Sequence, residues 1–173
     1  MLIDLARALD AAHSKGVVHR DVKPENVLVD ESDDWSMKIT DFGIARSSDQ
    51  ARLTKTGLVM GTAQYLSPPE QAMGKQATSL SDIYALGGIV AYEMLVGGHR
   101  PPFTGSSQVE IAMAQVKQQP PPALPESINP DLRQLVMMAL AKAPANRPPR
   151  SAAAVARILE AIQRGVEPPL HDR

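Results

Sequence analysis

Residues 19–26 read HRDVKPEN, and residues 41–43 read DFG. In the first stretch Asp21 is followed at +2 by Lys23 and at +5 by Asn26. A carboxylate can orient and deprotonate a hydroxyl, an ammonium can neutralise a phosphoryl group, and an amide oxygen can ligate a hard cation. The spacing therefore predicts a short loop that carries the chemistry of phosphoryl transfer.

The second stretch supplies a further oxygen ligand. Asp41 comes twenty residues after Asp21, directly after a predicted strand, and Gly43 gives it a flexible backbone neighbour. Either tripeptide alone occurs by chance in ordinary turns. Here the two occur in order, with a predicted hairpin between them and Asn26 at the required offset. The joint pattern therefore favours a Mg²⁺-dependent phosphoryl-transfer site over two unrelated turns.

Hydrophobic periodicity predicts two short strands followed by helices. Strands at 27–29 and 37–40 flank an acidic turn, for which a solvated loop is favoured over a metal site. The polar stretch 47–61 predicts a long loop, and 118–125 predicts a stiff proline-rich connector rather than a peptide ligand for a partner. The predicted fold class is mainly α (α+β) with one or two small β-hairpins. Its helices are predicted at 2–12, 80–96, 106–117, 131–141 and 151–163.

Composition excludes several other classes of protein. A net charge of −1 argues against a nucleic-acid partner, and 3% aromatic residues argue against a base-stacking surface. The absence of cysteine excludes disulfides, thiolate zinc sites and a cysteine nucleophile. No apolar run reaches about 18 residues, so no membrane segment is predicted in this chain. These features fit a cytoplasmic protein.

Three further blocks extend the pattern: GTAQYLSP at 61–68, SDIYALG at 81–87 and NRP at 146–148. With them the chain resembles the eukaryotic-type (Hanks-type) Ser/Thr protein kinases of bacteria, in particular the actinobacterial membrane-associated kinases. The blocks run from the first predicted helix to the last, so the resemblance covers nearly the whole chain. It implies a protein-kinase-like C-lobe at 1–165 and a short tail at 166–173, with any membrane anchor outside this chain.

The resemblance implies roles for individual residues. Asp21 would be the catalytic base, Lys23 would contact the γ-phosphate, and Thr62 would shape the substrate site beside Asp21. Asn26 and Asp41 would hold Mg²⁺. The implied cofactors are ATP and Mg²⁺, the implied partners are protein substrates, and the lysine at +2 favours Ser/Thr acceptors over tyrosine.

Further roles are implied by the same resemblance. Leu28 would form the floor under adenine. Arg20 would pair with a phosphate on the activation loop, where Thr54 and Thr56 match the family's autophosphorylation sites. The remaining implied residues are structural: His19, Phe42 and Asp82 would anchor the active loop, and Glu70 would form a buried ion pair with Arg147.

The chain departs from the family pattern at its start. It is expected to lack the N-terminal lobe, with its Gly-rich loop and strand lysine, because it opens inside a core-facing helix. The fragment alone is therefore expected to be an inactive part of a Ser/Thr kinase. The alternative is a truncated lobe that docks substrates or partners without catalysis.

Single-residue extras form the second departure. Ser67-Pro68-Pro69-Glu70 carries an additional proline, and one extra residue lies between Asp82 and Tyr92. An extra residue turns the next face of a helix by about 100°, unless a π-bulge absorbs it. Histidines outside the motifs are expected to have surface or packing roles: His13, His99 and His171.

Overall fold

The computed structural model of the protein describes residues 1–42, 75–98, 100–117 and 123–170. Over these residues the fold is mainly helical and contains one two-stranded antiparallel sheet. The predicted fold class, mainly helical with a small hairpin, is confirmed for this part of the chain. The predicted loop at 47–61 lies outside the described residues.

The elements succeed one another with short connections. The helices are α1 (Leu2–His13), α2 (Ser79–Ile83), α3 (Ala91–Val96), α4 (Gln108–Lys117), α5 (Pro130–Ala139) and α6 (Ala152–Gln163). The strands are β1 (Val27–Asp30) and β2 (Ser36–Ile39). Short 3₁₀ turns precede β1 and α6, at Pro24–Asn26 and Pro144–Asn146, and a π-helical segment, Tyr84–Val90, joins α2 to α3.

The main core lies between α1 and α6. Leu5 and Leu9 of α1 are fully buried, because positions four apart lie on one face of a helix. Facing them, Val155 and Ile158 of α6 belong to the same cluster of buried side chains. Helix α1 also packs against β2, so the hairpin is fixed to this core. Leu170, beyond α6, is buried in the same cluster.

The hairpin confirms the predicted strands. Strands β1 and β2 pair with Val27 opposite Ile39. In the turn between them, the carboxylate of Asp30 accepts hydrogen bonds from the backbone and hydroxyl of Ser32 and from Lys38. These bonds hold the pKa of Asp30 below its ordinary value, with the Ser32 hydroxyl as the largest cause. The acidic turn is exposed, which agrees with the solvated loop that the sequence favoured.

The extra residue between Asp82 and Tyr92 is accommodated by a π-helical turn. A π-helix places one more residue in each turn than an α-helix, so Tyr84–Val90 absorbs the extra residue without rotating the next helical face. All seven residues of this segment are buried. The sequence left two outcomes open, a rotated helical face or a π-bulge, and the structure has the π-helical segment.

The continuous helical span Ser79–Val96 is long and apolar enough, by length and composition, to cross a membrane. The sequence had predicted no run of that length. However, 72% of the span is buried inside the fold. It packs against α5, where Gly87 and Gly88 allow close approach to Ala139 and Leu140. The span is thus placed as the central core helix of this fold.

Candidate active site

The backbone before Asp21 adopts an unusual conformation. Arg20 has φ 70°, a left-handed value that costs a residue with a side chain of the order of 1–3 kcal/mol. The carboxylate of Asp82 holds it there. Its two oxygens accept the backbone N–H groups of His19 at 2.8 Å and Arg20 at 2.9 Å. Because Asp82 is fully buried, water does not compete for these bonds.

The ring of His19 ties this loop to the segment that carries Asp41. Its Nε2 donates to the carbonyl of Thr40 at 2.8 Å, and its Nδ1 accepts the N–H of Asp21 at 3.2 Å. These two bonds together require the neutral tautomer with hydrogen on Nε2. The ring also lies 4.6 Å, centroid to centroid, from the ring of Phe42. His19, Phe42 and Asp82 are therefore brought into one connected group.

Asp21, Lys23 and Asn26 come together as the sequence spacing predicted. The side-chain amide of Asn26 donates to the carbonyl of Asp21 at 2.8 Å and to its carboxylate at 3.3 Å. The ammonium of Lys23 lies 3.4 Å from the same carboxylate. A base, a cation and an amide thus converge within one loop.

Asn26 and Asp41 lie at the same end of the hairpin. The carbonyl of Asn26 accepts the N–H of Thr40 at 2.8 Å and its hydroxyl at 3.2 Å, and Asp41 is the next residue. Asp41 is exposed and has φ 56°. The bonds between Asn26 and Thr40 therefore bring the backbones of Asn26, which carries the amide, and of Asp41, which carries the carboxylate, to the same end of the sheet.

The side chains of Asn26 and Asp41 fit Mg²⁺ only as part of a site that phosphate oxygens complete. Among the described residues no group of three or more His, Asp or Glu side chains is close enough to hold a metal ion. Mg²⁺ is usually bound through one or two carboxylates and the phosphates of a substrate. The amide nitrogen of Asn26 makes both contacts to Asp21. In the part of the chain that the structure describes, the side-chain oxygen of Asn26 accepts no hydrogen bond. Asn26 and Asp41 could therefore hold the ion once phosphates supply the remaining oxygens.

Two other predicted residues lie near this loop. Leu28 on β1 is 59% exposed, unusually open for a large apolar side chain, so it can receive the face of a flat ring. Arg20 has its side-chain Nε buried with no hydrogen-bond partner among the described residues. Three predicted site residues, Thr54, Thr56 and Thr62, lie outside the described residues.

Arg147 is fully buried beside the π-helical segment. Its guanidinium stacks 4.9 Å from the centre of the Tyr84 ring. It donates to three backbone carbonyls, those of Leu80 (3.3 Å), Ala141 (2.5 Å) and Lys142 (2.7 Å). It therefore joins α2 to the loop after α5. Its predicted partner, Glu70, lies outside the described residues.

The polar contacts that the sequence missed include those of His13 and Lys142. His13, expected to have a surface or packing role, places its Nε2 2.7 Å from the carboxylate of Asp82. Sixty-nine residues separate the two, so no local spacing reveals the pair. Lys142 was assigned no role, yet its ammonium lies 3.8 Å from the centre of the Phe103 ring and 3.5 Å from the Tyr84 hydroxyl.

Comparison with known proteins agrees with this geometry. A family model described as a protein kinase domain matches residues 1–159. Serine/threonine-protein kinase PknA of Mycobacterium tuberculosis is 46% identical over 98% of this chain and 37% of its own length. PknA of Corynebacterium glutamicum is 46% identical over 95% of this chain and 33% of its own. PknB of Mycobacterium leprae is 45% identical over 85% of this chain and 23% of its own. The chain thus spans between 23% and 37% of the length of these three relatives. It belongs to the protein kinase family, and the relatives that it resembles are bacterial Ser/Thr kinases.

Proposed function

We propose that this chain supplies the phosphoryl-transfer loop of a Ser/Thr protein kinase that moves the γ-phosphate of ATP to hydroxyls of protein substrates. The observation that carries the proposal is the convergence of Asp21, Lys23 and Asn26 in one loop, which His19 joins to the carbonyl of Thr40, the residue directly before Asp41. A docking module has no chemical need for all four polar groups.

In the proposed mechanism the carboxylate of Asp21 orients the substrate hydroxyl and accepts its proton as the oxygen attacks phosphorus. The Asn26 amide keeps that carboxylate in place through its bond to the Asp21 side chain. The ammonium of Lys23 neutralises charge on the phosphoryl group in transit. Asn26 and Asp41 would hold Mg²⁺, which contributes positive charge to the phosphates.

The remaining predictions belong to the same proposal. Leu28 would support adenine from below, and Thr62 would lie beside Asp21. The relatives are named Ser/Thr kinases, which supports Ser/Thr acceptors here. We place the activity in the cytoplasm, where ATP is available, and we take residues 1–165 as the kinase portion.

The acceptor class is tested with three peptides that differ only in carrying Ser, Thr or Tyr. The protein is a fusion in which a protein-kinase N-terminal lobe is placed before Met1. We expect Mg²⁺-dependent transfer to the Ser and Thr peptides and little to the Tyr peptide. Transfer to Tyr alone would overturn the acceptor assignment, and magnesium-independent transfer would overturn the roles of Asn26 and Asp41.

A further inference from the structure

The amine of Lys142 lies at the border between the core and solvent. The residue is partly exposed, whereas the two aromatic side chains that it contacts, Tyr84 and Phe103, are fully buried. Its Nζ lies 3.8 Å from the centre of the Phe103 ring and 3.5 Å from the Tyr84 hydroxyl oxygen. The loop after α5 therefore holds an amine that is largely removed from water without being enclosed.

The surroundings of this amine carry positive charge and no balancing anion. In the described part of the chain no carboxylate lies within ion-pair distance of Lys142. The groups around it are the Phe103 ring, the Tyr84 hydroxyl from the π-helical segment, and the Arg147 guanidinium, whose like charge opposes the ammonium. Tyr84 donates its own proton to Gln115 of α4, so its oxygen accepts from Lys142. Burial first, and Arg147 second, lower the pKa of Lys142 to about 8.

A lysine in such a place is a nucleophile, because its neutral form has a lone pair on nitrogen and desolvation beside another cation favours that form. Its reaction with a small acyl phosphate balances without a further reagent. The nitrogen attacks the carbonyl carbon, a C–N bond forms, and the bond from that carbon to the phosphate oxygen breaks. Phosphate leaves with the electron pair, the nitrogen loses one proton to water, and the product is an amide.

We propose that Lys142 is an acylation site, at which a small acyl phosphate converts the ammonium into a neutral amide. The product suits its surroundings, because it carries no charge beside Arg147 and its N–H can still donate to the Tyr84 oxygen. Loss of the charge weakens the contact with the Phe103 ring, which reduces this gain without reversing it. The proposal does not rest on the kinase activity, so each can be refuted without the other.

The first measurement is the rate at which acetyl phosphate acetylates individual lysines of residues 1–173 at pH 8, followed by quantitative mass spectrometry of peptides. Lys15 is the matched control, because it is exposed and none of the described carboxylates pairs with it. About half of Lys142 is neutral at this pH. A lysine with the unperturbed pKa of about 10.4 is less than about 1% neutral. Because lower basicity weakens a nucleophile, we expect Lys142 to react about tenfold faster than Lys15.

The pH dependence and an unfolded control show whether the fold causes the difference. The rate at Lys142 should level off above about pH 8, whereas the rate at Lys15 should keep rising about tenfold per pH unit towards pH 10. In concentrated guanidinium chloride the two lysines should react within about twofold of each other, because the desolvated site no longer exists. Slower or equal acetylation of Lys142 in the folded protein, or a ratio that survives unfolding, would overturn the proposal.

The second measurement is Tm at neutral pH before and after acetylation. The parent is compared with Lys142→Arg treated alike, which keeps the charge and reports the effect of the other lysines. We expect acetylation to raise the Tm of the parent relative to that of Lys142→Arg, and Lys142→Gln, which resembles the amide, to melt higher than the untreated parent. If Lys142→Arg does not fold, Lys142→Met replaces it as the variant that cannot be acetylated. A Tm of the parent that is unchanged or lowered relative to the treated variant would show that the site does not accommodate the amide, and would refute the proposal.

Discussion

The carboxylate of Asp82 accepts the backbone amides of two consecutive residues, and the second of them, Arg20, has a left-handed φ of 70°. One buried side chain on α2 thus determines the backbone conformation directly before Asp21. Asp82 and Arg20 are 62 residues apart in the chain, so tertiary packing sets the geometry of the loop.

Asp82→Asn tests this arrangement. An asparagine has one oxygen and one N–H₂ group, so at least one of the three donors around position 82 loses its acceptor. An unmatched buried donor costs about 1–3 kcal/mol, and we expect the free energy of unfolding in urea to fall by that amount. Asp33→Asn, on the exposed hairpin turn, is the control and should change it little. Equal stabilities for the parent and Asp82→Asn would contradict the role given to Asp82.

Gly88→Ala tests the close packing of the π-helical segment. A Cβ at Gly88 would lie 2.6 Å from Cδ2 of Leu140 and 2.9 Å from its Cγ. We expect overpacking to cost about 1–3 kcal/mol of stability, although alanine is otherwise the better helix former. The double variant Gly88→Ala/Leu140→Ala should lose less stability than the sum of the single variants. Strict additivity would show that the two positions do not touch.

Lys142 should make stability depend on pH. Burial, with a smaller contribution from Arg147, lowers the pKa of Lys142 to about 8. The Phe103 ring favours the ammonium by about 0.5–2 kcal/mol, which reduces the shift without reversing it. An unfolded lysine has a pKa of about 10.4. Between these values the unfolded chain binds more protons, so stability should rise with pH through the window.

Below pH 8 Lys142 is protonated in both the folded and the unfolded chain, so burial of its charge lowers the stability of the fold by the full amount. Lys142→Met should therefore raise Tm most at neutral pH, and its advantage over the parent should shrink towards pH 10. The exposed Lys38→Met serves as the control and should show no such trend. A difference in Tm between parent and Lys142→Met that is constant from pH 7 to 10 would rule out the lowered pKa.

Phosphorylation is expected at Thr54 and Thr56 when the fusion autophosphorylates. Each phosphate adds about −1.5 to −2 charges, and Arg20, whose buried Nε has no partner among the described residues, is the cation expected to pair with it. Phosphopeptide mapping of active protein checks the sites. Full activity in a Thr54→Ala/Thr56→Ala double variant would contradict their activating role.

Much of the local structure could be predicted from the sequence. The spacing of Asp21, Lys23 and Asn26 predicted a shared loop, because turns of a few residues bring such groups together whatever the tertiary fold. The extra residue before Tyr92 limited the outcomes to a rotated helical face or a π-bulge, since helical geometry leaves few other ways to accommodate it. Both are short-range constraints that periodicity and spacing express directly.

The missed contacts are of another kind. His13 and Asp82 meet because α1 and α2 pack on one core, and Lys142 approaches Phe103 because the loop after α5 folds back on the helical span. Periodicity indicates which face of a helix is buried and leaves open which polar group it meets across the core. Such pairs became visible once the packing of the helices was described.

The most direct test of the central claim is transfer of radiolabelled phosphate from ATP to a Ser-containing protein substrate. It compares the fusion carrying an N-terminal lobe, the same fusion with Asp21→Asn, and residues 1–173 alone. We expect transfer by the parent fusion, a fall in turnover of about 10²–10⁴ for Asp21→Asn, and little transfer by residues 1–173. Turnover by Asp21→Asn close to that of the parent would contradict the assignment of Asp21 as the base.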